Sequence, residues 1–178
     1  MTRIGIYFGS TTGATERAAD RIAANLASDG LAVDVVDVAE FHLDEMETFD
    51  FLIFGIPTWN VGQLQADWES ALDEMDELNL SGKKVAIFGL GDQQGYPETF
   101  VDAIFFLADR ARERGGEIVG HWSTDGYEFE ASWAVEEGRF LGLVLDNESQ
   151  GHLTNDRIDR WCGQLRTELP LIGSEASR

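Results

Sequence analysis

Apolar and polar positions along this chain follow two alternating periods. Residues 3–8, Arg-Ile-Gly-Ile-Tyr-Phe, form a short apolar run that predicts a buried strand. A polar turn rich in Ser and Thr occupies 9–13. From Ala14 the period becomes helical, with Ala18, Ile22, Ala23 and Leu26 on one face and Gly30 as the stop. Residues 31–38 predict a second strand. Residues 51–55 predict a third, apolar throughout, as a parallel strand covered on both faces requires, with Pro57 ending it. A helix is predicted over about 64–75 with Trp68, Leu72 and Met75 inward, then a fourth strand over 84–90. A long helix over 98–114 carries Phe100, Ile104, Leu107 and Ala111 on its inner face, and Gly115-Gly116 closes it. A fifth strand starts over 117–121. Thr154 is the expected N-cap of a last helix with Ile158, Trp161, Leu165 and Leu169 inward.

This order of strands and helices is that of an α/β protein, a parallel sheet with helices on both faces. Two stretches fall outside the alternation. Residues 40–48 are mostly acidic, lack a convincing apolar face and read as a loop or short helix. Residues 122–140 hold Gly126, Tyr127, Phe129 and Trp133 without clear period. They read as an insertion in the fifth strand, which resumes at about 140–145. The 178 residues suit one domain, 1–178, whose tail 173–178 is expected to fray.

Charge narrows the function. Thirteen Lys and Arg against 33 Asp and Glu give a net charge of −20. Such a surface repels phosphate backbones and anionic lipid, so nucleic acid and membrane partners are not expected. It attracts basic protein faces, although adaptation to salt produces the same composition. Cys162 is the lone cysteine, which rules out a disulfide framework and a cysteine-built metal or iron–sulfur site. The N-terminus enters a strand pattern at once and no run of 18 apolar residues follows. A soluble cytoplasmic protein is the expectation.

In an open α/β sheet, ligands bind beyond the carboxyl ends of the strands where strand order reverses. The loops after strands one, three and four are therefore the ones that matter. The first is Gly9-Ser10-Thr11-Thr12-Gly13-Ala14-Thr15-Glu16. Backbone N–H groups at a helix N-terminus bind anions, and the hydroxyls add donors. A nucleotide triphosphate loop needs Lys after the second Gly, where Ala14 stands, so a single phosphate fits better. The second, Pro57-Thr58-Trp59-Asn60-Val61-Gly62, offers a Trp that can lie flat on a planar ligand. The third, Gly89-Leu90-Gly91-Asp92-Gln93-Gln94-Gly95-Tyr96, brings backbone N–H groups near a ring edge and a Tyr for a second face. It lacks the spacing and position of a dinucleotide fingerprint. Each segment alone also has an ordinary reading: a Thr-rich N-cap, a Trp folded back over the core, and a turn with a surface Tyr. Together, one phosphate cradle and two aromatic platforms at one sheet edge ask for a mononucleotide with a planar ring.

These loops, in this order and spacing, resemble those of the flavodoxin family. The segments Gly120-His121-Trp122-Ser123-Thr124-Asp125-Gly126-Tyr127 and Gly142-Leu143 to Asp146 resemble the inserted segment of its long-chain members and the strand after it. The resemblance runs from about residue 3 to 169. It implies a three-layer sandwich around a five-stranded parallel sheet in order 2-1-3-4-5, the fifth strand interrupted by the insertion. It implies one bound FMN, its phosphate held by Ser10, Thr11, Thr12, Gly13, Ala14 and Thr15. Trp59 and Tyr96 would sandwich the ring. Pro57, Thr58, Asn60, Val61 and Gly62 would line one side, and Gly89, Leu90, Gly91 and Asp92 the pyrimidine edge. Ala14 departs from the Asn or Lys common there, removing a side-chain contact but keeping the backbone N–H. Glu148 stands where a relative can have Asp.

The resemblance further implies a low-potential one-electron carrier using the semiquinone/hydroquinone couple, an electron-transfer protein rather than an enzyme. The Asn60–Val61 peptide would turn its carbonyl toward flavin N5 on the first reduction, with slack from Gly62. A carboxylate about 10 Å from the reduced ring, at an effective dielectric of about 20, opposes its charge by about 1.7 kcal/mol, roughly 70 mV for one electron. Asp67, Glu69, Asp73, Glu74, Asp76 and Glu77 near the second loop would steer basic partners. An NADPH-dependent flavodoxin reductase and low-potential acceptors are the expected partners of a monomer. The alternative is an FMN-dependent NAD(P)H:quinone reductase of the same fold, which needs an open flavin face that two aromatic covers would close. A phospho-receiver lacks its acids after strand one, and a phosphatase lacks Cys-x5-Arg there.

Overall fold

The computed structural model describes residues 2–40, 43–59 and 63–169, with the backbone alone at Trp59 and Gln63. β1 (Arg3–Phe8) leads through α1 (Ala14–Ala27) to β2 (Ala32–Asp37). After a 3₁₀ turn at Asp44–Thr48, β3 (Phe51–Trp59) folds back through β4 (Gln63–Leu64) into α2 (Ala66–Met75). β5 (Lys84–Leu90) leads through α3 (Ala103–Glu113) to β6 (Glu117–Val119). Three two-residue strands, β7 (Trp122–Ser123), β8 (Val135–Glu136) and β9 (Arg139–Phe140), precede β10 (Leu143–Leu145), a short α4 (Asn147–Gln150) and α5 (Thr154–Glu168).

The main sheet runs β2-β1-β3-β5, all parallel. Its far edge is shared by two strands. β6 pairs with the start of β5, Lys84 opposite Glu117, and β10 with its end, Leu90 opposite Leu145. The order is therefore 2-1-3-4-5 with the fifth strand broken, as the resemblance implies. Between the two halves, β7, β9 and β8 form a small antiparallel sheet. Strands of two residues are too short to show a period, which is why 122–140 gives no pattern. Aromatic rings organise this segment: Phe140 stands edge-on to Tyr127 and Phe100, and Phe129 packs against both Phe140 and Phe100. The Tyr127 hydroxyl donates to the Val144 carbonyl at 2.5 Å and accepts from Trp122 Nε1 at 3.0 Å, which pins the insertion to β10.

Two tryptophans mark the two helix layers. Trp68 of α2 packs on Phe54, and Trp161 of α5 on Phe88. Phe88 lies opposite Gly55 in the β3–β5 ladder, so it points to the face opposite Phe54. α1 packs beside α5 on the Phe88 side, and α2 beside α3 on the other. The buried stripe of α1, Ala18, Ala19, Ile22 and Leu26, follows the helical period.

Three local expectations are corrected. β3 continues through Pro57 to Trp59. Gly55 turns its carbonyl to the Gly9 N–H, so Pro57, two residues on, turns its nitrogen to the same side, past the end of β1 where no ladder partner is needed. The helix predicted from residue 98 begins at Ala103. Residues 97–102 are instead held by the insertion: Glu130 and Ala131 N–H groups bond the Pro97 carbonyl, and the Ser132 hydroxyl bonds that of Phe100. Thr154 starts α5 but does not cap it; its hydroxyl bonds Asn147 Oδ1. The predicted tail lies outside the described residues. No helix among the described residues is long and apolar enough to cross a membrane.

Gly142 precedes β10 with its Cα against the Ile87 carbonyl, where any Cβ would collide with backbone. Gly142→Ala is expected to pry β10 from β5 and cost about 2–3 kcal/mol of stability, read from urea denaturation; an unchanged midpoint would show that this edge yields freely.

Candidate functional site

The carboxyl ends of β1, β3 and β5 open onto a cleft of about 300 Å³. Its lining comes from four segments. Thr12 and Ala14 come from the turn after β1, Pro57 and Thr58 from the end of β3, Leu90, Gly91, Asp92 and Tyr96 from the loop after β5, and Asn147 and Glu148 from the start of α4.

The first turn is shaped by backbone needs. Gly13 has φ of 90°, a left-handed value natural to glycine, and stands as the N-cap of α1. No side chain among the described residues caps α1, so the N–H groups of its first turn are free for an anion. The Ser10 hydroxyl accepts the Gly13 N–H at 2.9 Å, holding the turn shut. Thr11 Oγ1 accepts from Gln65 Nε2 at 3.4 Å. Thr12 lines the cleft, and Thr15 is buried within α1. Arg17, one turn along α1, brings Nη1 within 3.1 Å of where a Gly13 Cβ would stand. The turn itself carries no basic residue, and this cation reaches it from the helix.

Gln65 is a support that composition does not reveal. It is buried, caps α2 by accepting the Trp68 N–H, and spends its amide on Thr11 and Asp67. At the end of β3, Thr58 Oγ1 accepts the Ala103 N–H at 3.2 Å, so it caps α3 as it lines the cleft. Trp59 pairs its backbone with Gln63. The Trp59 side chain and residues Asn60, Val61 and Gly62, predicted to cover one ring face, lie outside the described features.

Across the cleft, Asp92 Oδ1 accepts the N–H groups of Gln94 and Gly95, and its carbonyl accepts that of Tyr96. This tight turn presents Tyr96 at the rim, 40% exposed. Gly91 N–H bonds the Leu145 carbonyl at 3.0 Å. Gly89, predicted to touch the ligand, is not among the lining residues, and a Cβ there would meet Ile104 of α3.

Asp146 holds this side of the site together. It is fully buried. Oδ1 accepts the N–H groups of Glu148 and Ser149, and Oδ2 accepts Gln93 N–H at 3.0 Å, Gln93 Nε2 at 2.7 Å and the Ser149 hydroxyl at 2.6 Å. Burial pushes its carboxyl up, but the bonds from Ser149 and Gln93 outweigh that and hold it below the ordinary range. The anchored Gln93 also accepts the Glu128 N–H, joining the loop to the insertion. Asn147 and Glu148 enter the lining because Asp146 caps their helix. Away from the cleft, Cys162 is buried, and burial pushes its thiol to about 12, so it stays protonated. No group of three His, Cys, Asp or Glu able to hold a metal occurs among the described residues.

The predicted acidic face of α2 is partly spoken for. Asp67 binds Gln65, Glu74 accepts the Leu43 N–H at 2.6 Å, and Asp76 pairs with Arg110 at 2.9 Å. Glu69, Asp73 and Glu77 are exposed.

The flavodoxin family model matches residues 6–161. A flavodoxin of Nostoc sp. is 44% identical over 169 residues, 95% of this chain and 98% of that one. One of Haemophilus influenzae is 42% identical over 172 residues, 96% of this chain and 98% of that one. The fold is similar to the solved Fusobacterium nucleatum flavodoxin bound to flavin mononucleotide, with a TM-score of 0.88 and 36% identity over 94% of this chain and 99% of that one.

Asp146→Asn would set an amide donor against the Gln93 donors. A loss of roughly 3 kcal/mol is expected at pH 7, from charged hydrogen bonds that are not remade. The native carboxyl is held low, so its contribution is present above about pH 4 and fades as pH falls through the depressed native value. Urea melts at pH 7 and pH 3 check this; an equal deficit at both would exclude the charge as its source.

Proposed function

This chain belongs to the flavodoxin family, and from that premise we infer that it binds one FMN in the cleft and carries electrons singly between redox proteins. The observation that carries this reading is the uncapped N-terminus of α1 opening into a cleft whose other wall bears an exposed Tyr. The donor set suits a phosphate monoester: backbone N–H groups at a helix start, hydroxyls of Thr11 and Thr12, and one nearby guanidinium. The leucine, proline and tyrosine walls suit a flat ring system. FMN supplies what the side chains cannot, an acceptor that takes and releases electrons one at a time.

The chain's own residues do the rest. Ser10, Thr11, Thr12, Gly13, Ala14 and Thr15 form the phosphate turn, with Ser10 fixing its shape and Thr15 anchoring it in the helix. Thr58, Leu90, Gly91 and Asp92 flank the ring, and Tyr96 covers one face. Trp59 and residues 60–62 are assigned to the opposite face, where the Asn60–Val61 peptide would orient a carbonyl toward the ring nitrogen that takes a proton. Glu148 at the lining places a carboxylate near the ring and disfavours extra negative charge there, which keeps the more negative potential low. No residue is assigned a catalytic step. Basic-faced redox proteins, such as an NADPH-dependent flavodoxin reductase, are the proposed partners, and the cytoplasm the proposed location of a monomer.

Anaerobic redox titration of the FMN-loaded protein, followed by visible absorbance, tests the carrier reading. Two well-separated one-electron steps with a blue species at half reduction are expected. Bleaching in a single two-electron step would favour the quinone-reductase chemistry instead.

Arg17 gives a sharper test of the phosphate turn. Arg17→Ala is expected to weaken FMN binding about threefold to tenfold at low salt, with the difference shrinking at high salt as an exposed charge is screened. Fluorescence titration of apoprotein measures it. Riboflavin, which has no phosphate, should show no difference between the two proteins.

A further inference from the structure

Trp133 is the most exposed large apolar side chain among the described residues, at 61%. It sits in the insertion, over two half-buried rings of α3. Its ring is 5.5 Å from Phe105, edge-on, and 5.8 Å from Phe106, tilted. The three make a continuous aromatic surface where a soluble chain would ordinarily place polar groups.

The backbone under this surface is fixed. Trp133 N–H bonds Asp102 Oδ1 at 2.8 Å, and Asp102 is itself buried at the start of α3. The Ser132 hydroxyl bonds the Phe100 carbonyl on one side of Trp133, and Ala134 N–H bonds Ser132 Oγ on the other. A ring on a clamped backbone loses little conformational freedom when it is covered, the property of an interface anchor. The patch is also joined to the cleft. Asp102 holds Trp133, and the next residue, Ala103, donates its N–H to the lining residue Thr58.

The surroundings select what covers it. Asp109, one helical turn beyond Phe105 and Phe106, and Glu130, three residues before Trp133, are exposed. The nearby Arg112 is neutralised by Glu136 at 2.9 Å. A second copy of this chain, also at −20, is repelled. Building on the carrier reading above, we propose that Trp133, Phe105 and Phe106 form the apolar anchor of a docking surface. Its occupant is a redox protein that presents an apolar centre ringed by Lys and Arg. Charge brings the partner in; the aromatic patch sets how long it stays and turns it toward the cleft.

Stopped-flow reduction of the FMN-loaded protein by a recombinant NADPH-dependent flavodoxin reductase with a basic face tests this, at low and at high salt. Trp133→Ala removes only an exposed ring and keeps every backbone bond named above. The FMN spectrum and both reduction potentials should match the wild type. The second-order rate should fall about tenfold, by the same factor at both salts, because salt does not screen apolar contact. A rate within twofold of wild type at both salts overturns the proposal. A loss confined to low salt, or one accompanied by a shifted potential, overturns it as well, the first assigning the effect to charge and the second to the cleft. A wild type that accepts no electrons from the reductase overturns the carrier reading, and the docking proposal with it.

Discussion

The carbonyl of Gly55 is the tie on which the frame of the cleft depends. It accepts the Gly9 N–H at 3.1 Å and Trp68 Nε1 at 2.8 Å. The first bond is the last link between β1 and β3. Beyond it the two chains part, one into α1 on the Phe88 side of the sheet, the other toward α2 on the Phe54 side. That parting is what opens a gap at the carboxyl edge of a parallel sheet. The second bond fixes α2 to the same atom, and Gln65, capping α2, reaches across to Thr11. The glycines follow from this closeness. A Cβ on Gly55 would meet the Phe88 ring, and one on Gly9 would meet Gln65 and Trp68.

Asp146 plays the matching part on the other wall, and it changes how the acidity of the chain is understood. A buried carboxylate is costly unless its oxygens are fully bonded, and here five donors surround it. The same use recurs at lower burial. Asp50 accepts the Arg3 N–H, Glu47 that of Asn79, Glu74 that of Leu43 and Glu168 that of Gly120. In each case a carboxylate closes a backbone donor far away in sequence. Part of the acidic excess thus acts as loop anchors, while exposed residues such as Glu69, Asp73 and Glu77 remain for long-range attraction. Neither salt adaptation nor partner steering alone accounts for the composition.

The legibility of the chain follows the range of the forces involved. β1 and β5 span the predicted 3–8 and 84–90, each opening on one charged, half-buried residue and buried from there on, because a strand covered on both faces tolerates few polar positions. The turn after β1 is legible for a similar reason: the phosphate role proposed for it rests on backbone N–H groups, which demand Gly and hydroxyl residues in a set order. Residues whose role depends on distant partners leave no such mark. Phe100 keeps the helical spacing of α3 yet lies outside it, because Pro97 and Phe100 carbonyls are taken by the insertion. Arg17, Gln65, Asn147 and Glu148 reach the site through folding alone. At Gly89 the packing of Ile104 is by itself enough to require glycine, a need that the sequence does not display.

An electron carrier faces two opposed demands, and the layout answers them in separate places. The cleft must be stiff, since reorganisation of polar groups around a charge-changing ring slows transfer. Gly55, Gln65 and Asp146 supply that stiffness from beneath, with bonds buried away from salt. The docking face must release its partner, so its attraction cannot rest on deeply paired charges, which are slow to separate. Exposed carboxylates give attraction that weakens with ionic strength, and a small aromatic area gives contact that does not. Thr58 and Asp102 lie where the two regions meet: one lines the cleft and caps α3, the other sits beside that cap and holds the backbone of Trp133. A partner on the aromatic face would therefore sit beside the helix start that closes one side of the cleft, so the surface that sets its stay also sets its distance from the site.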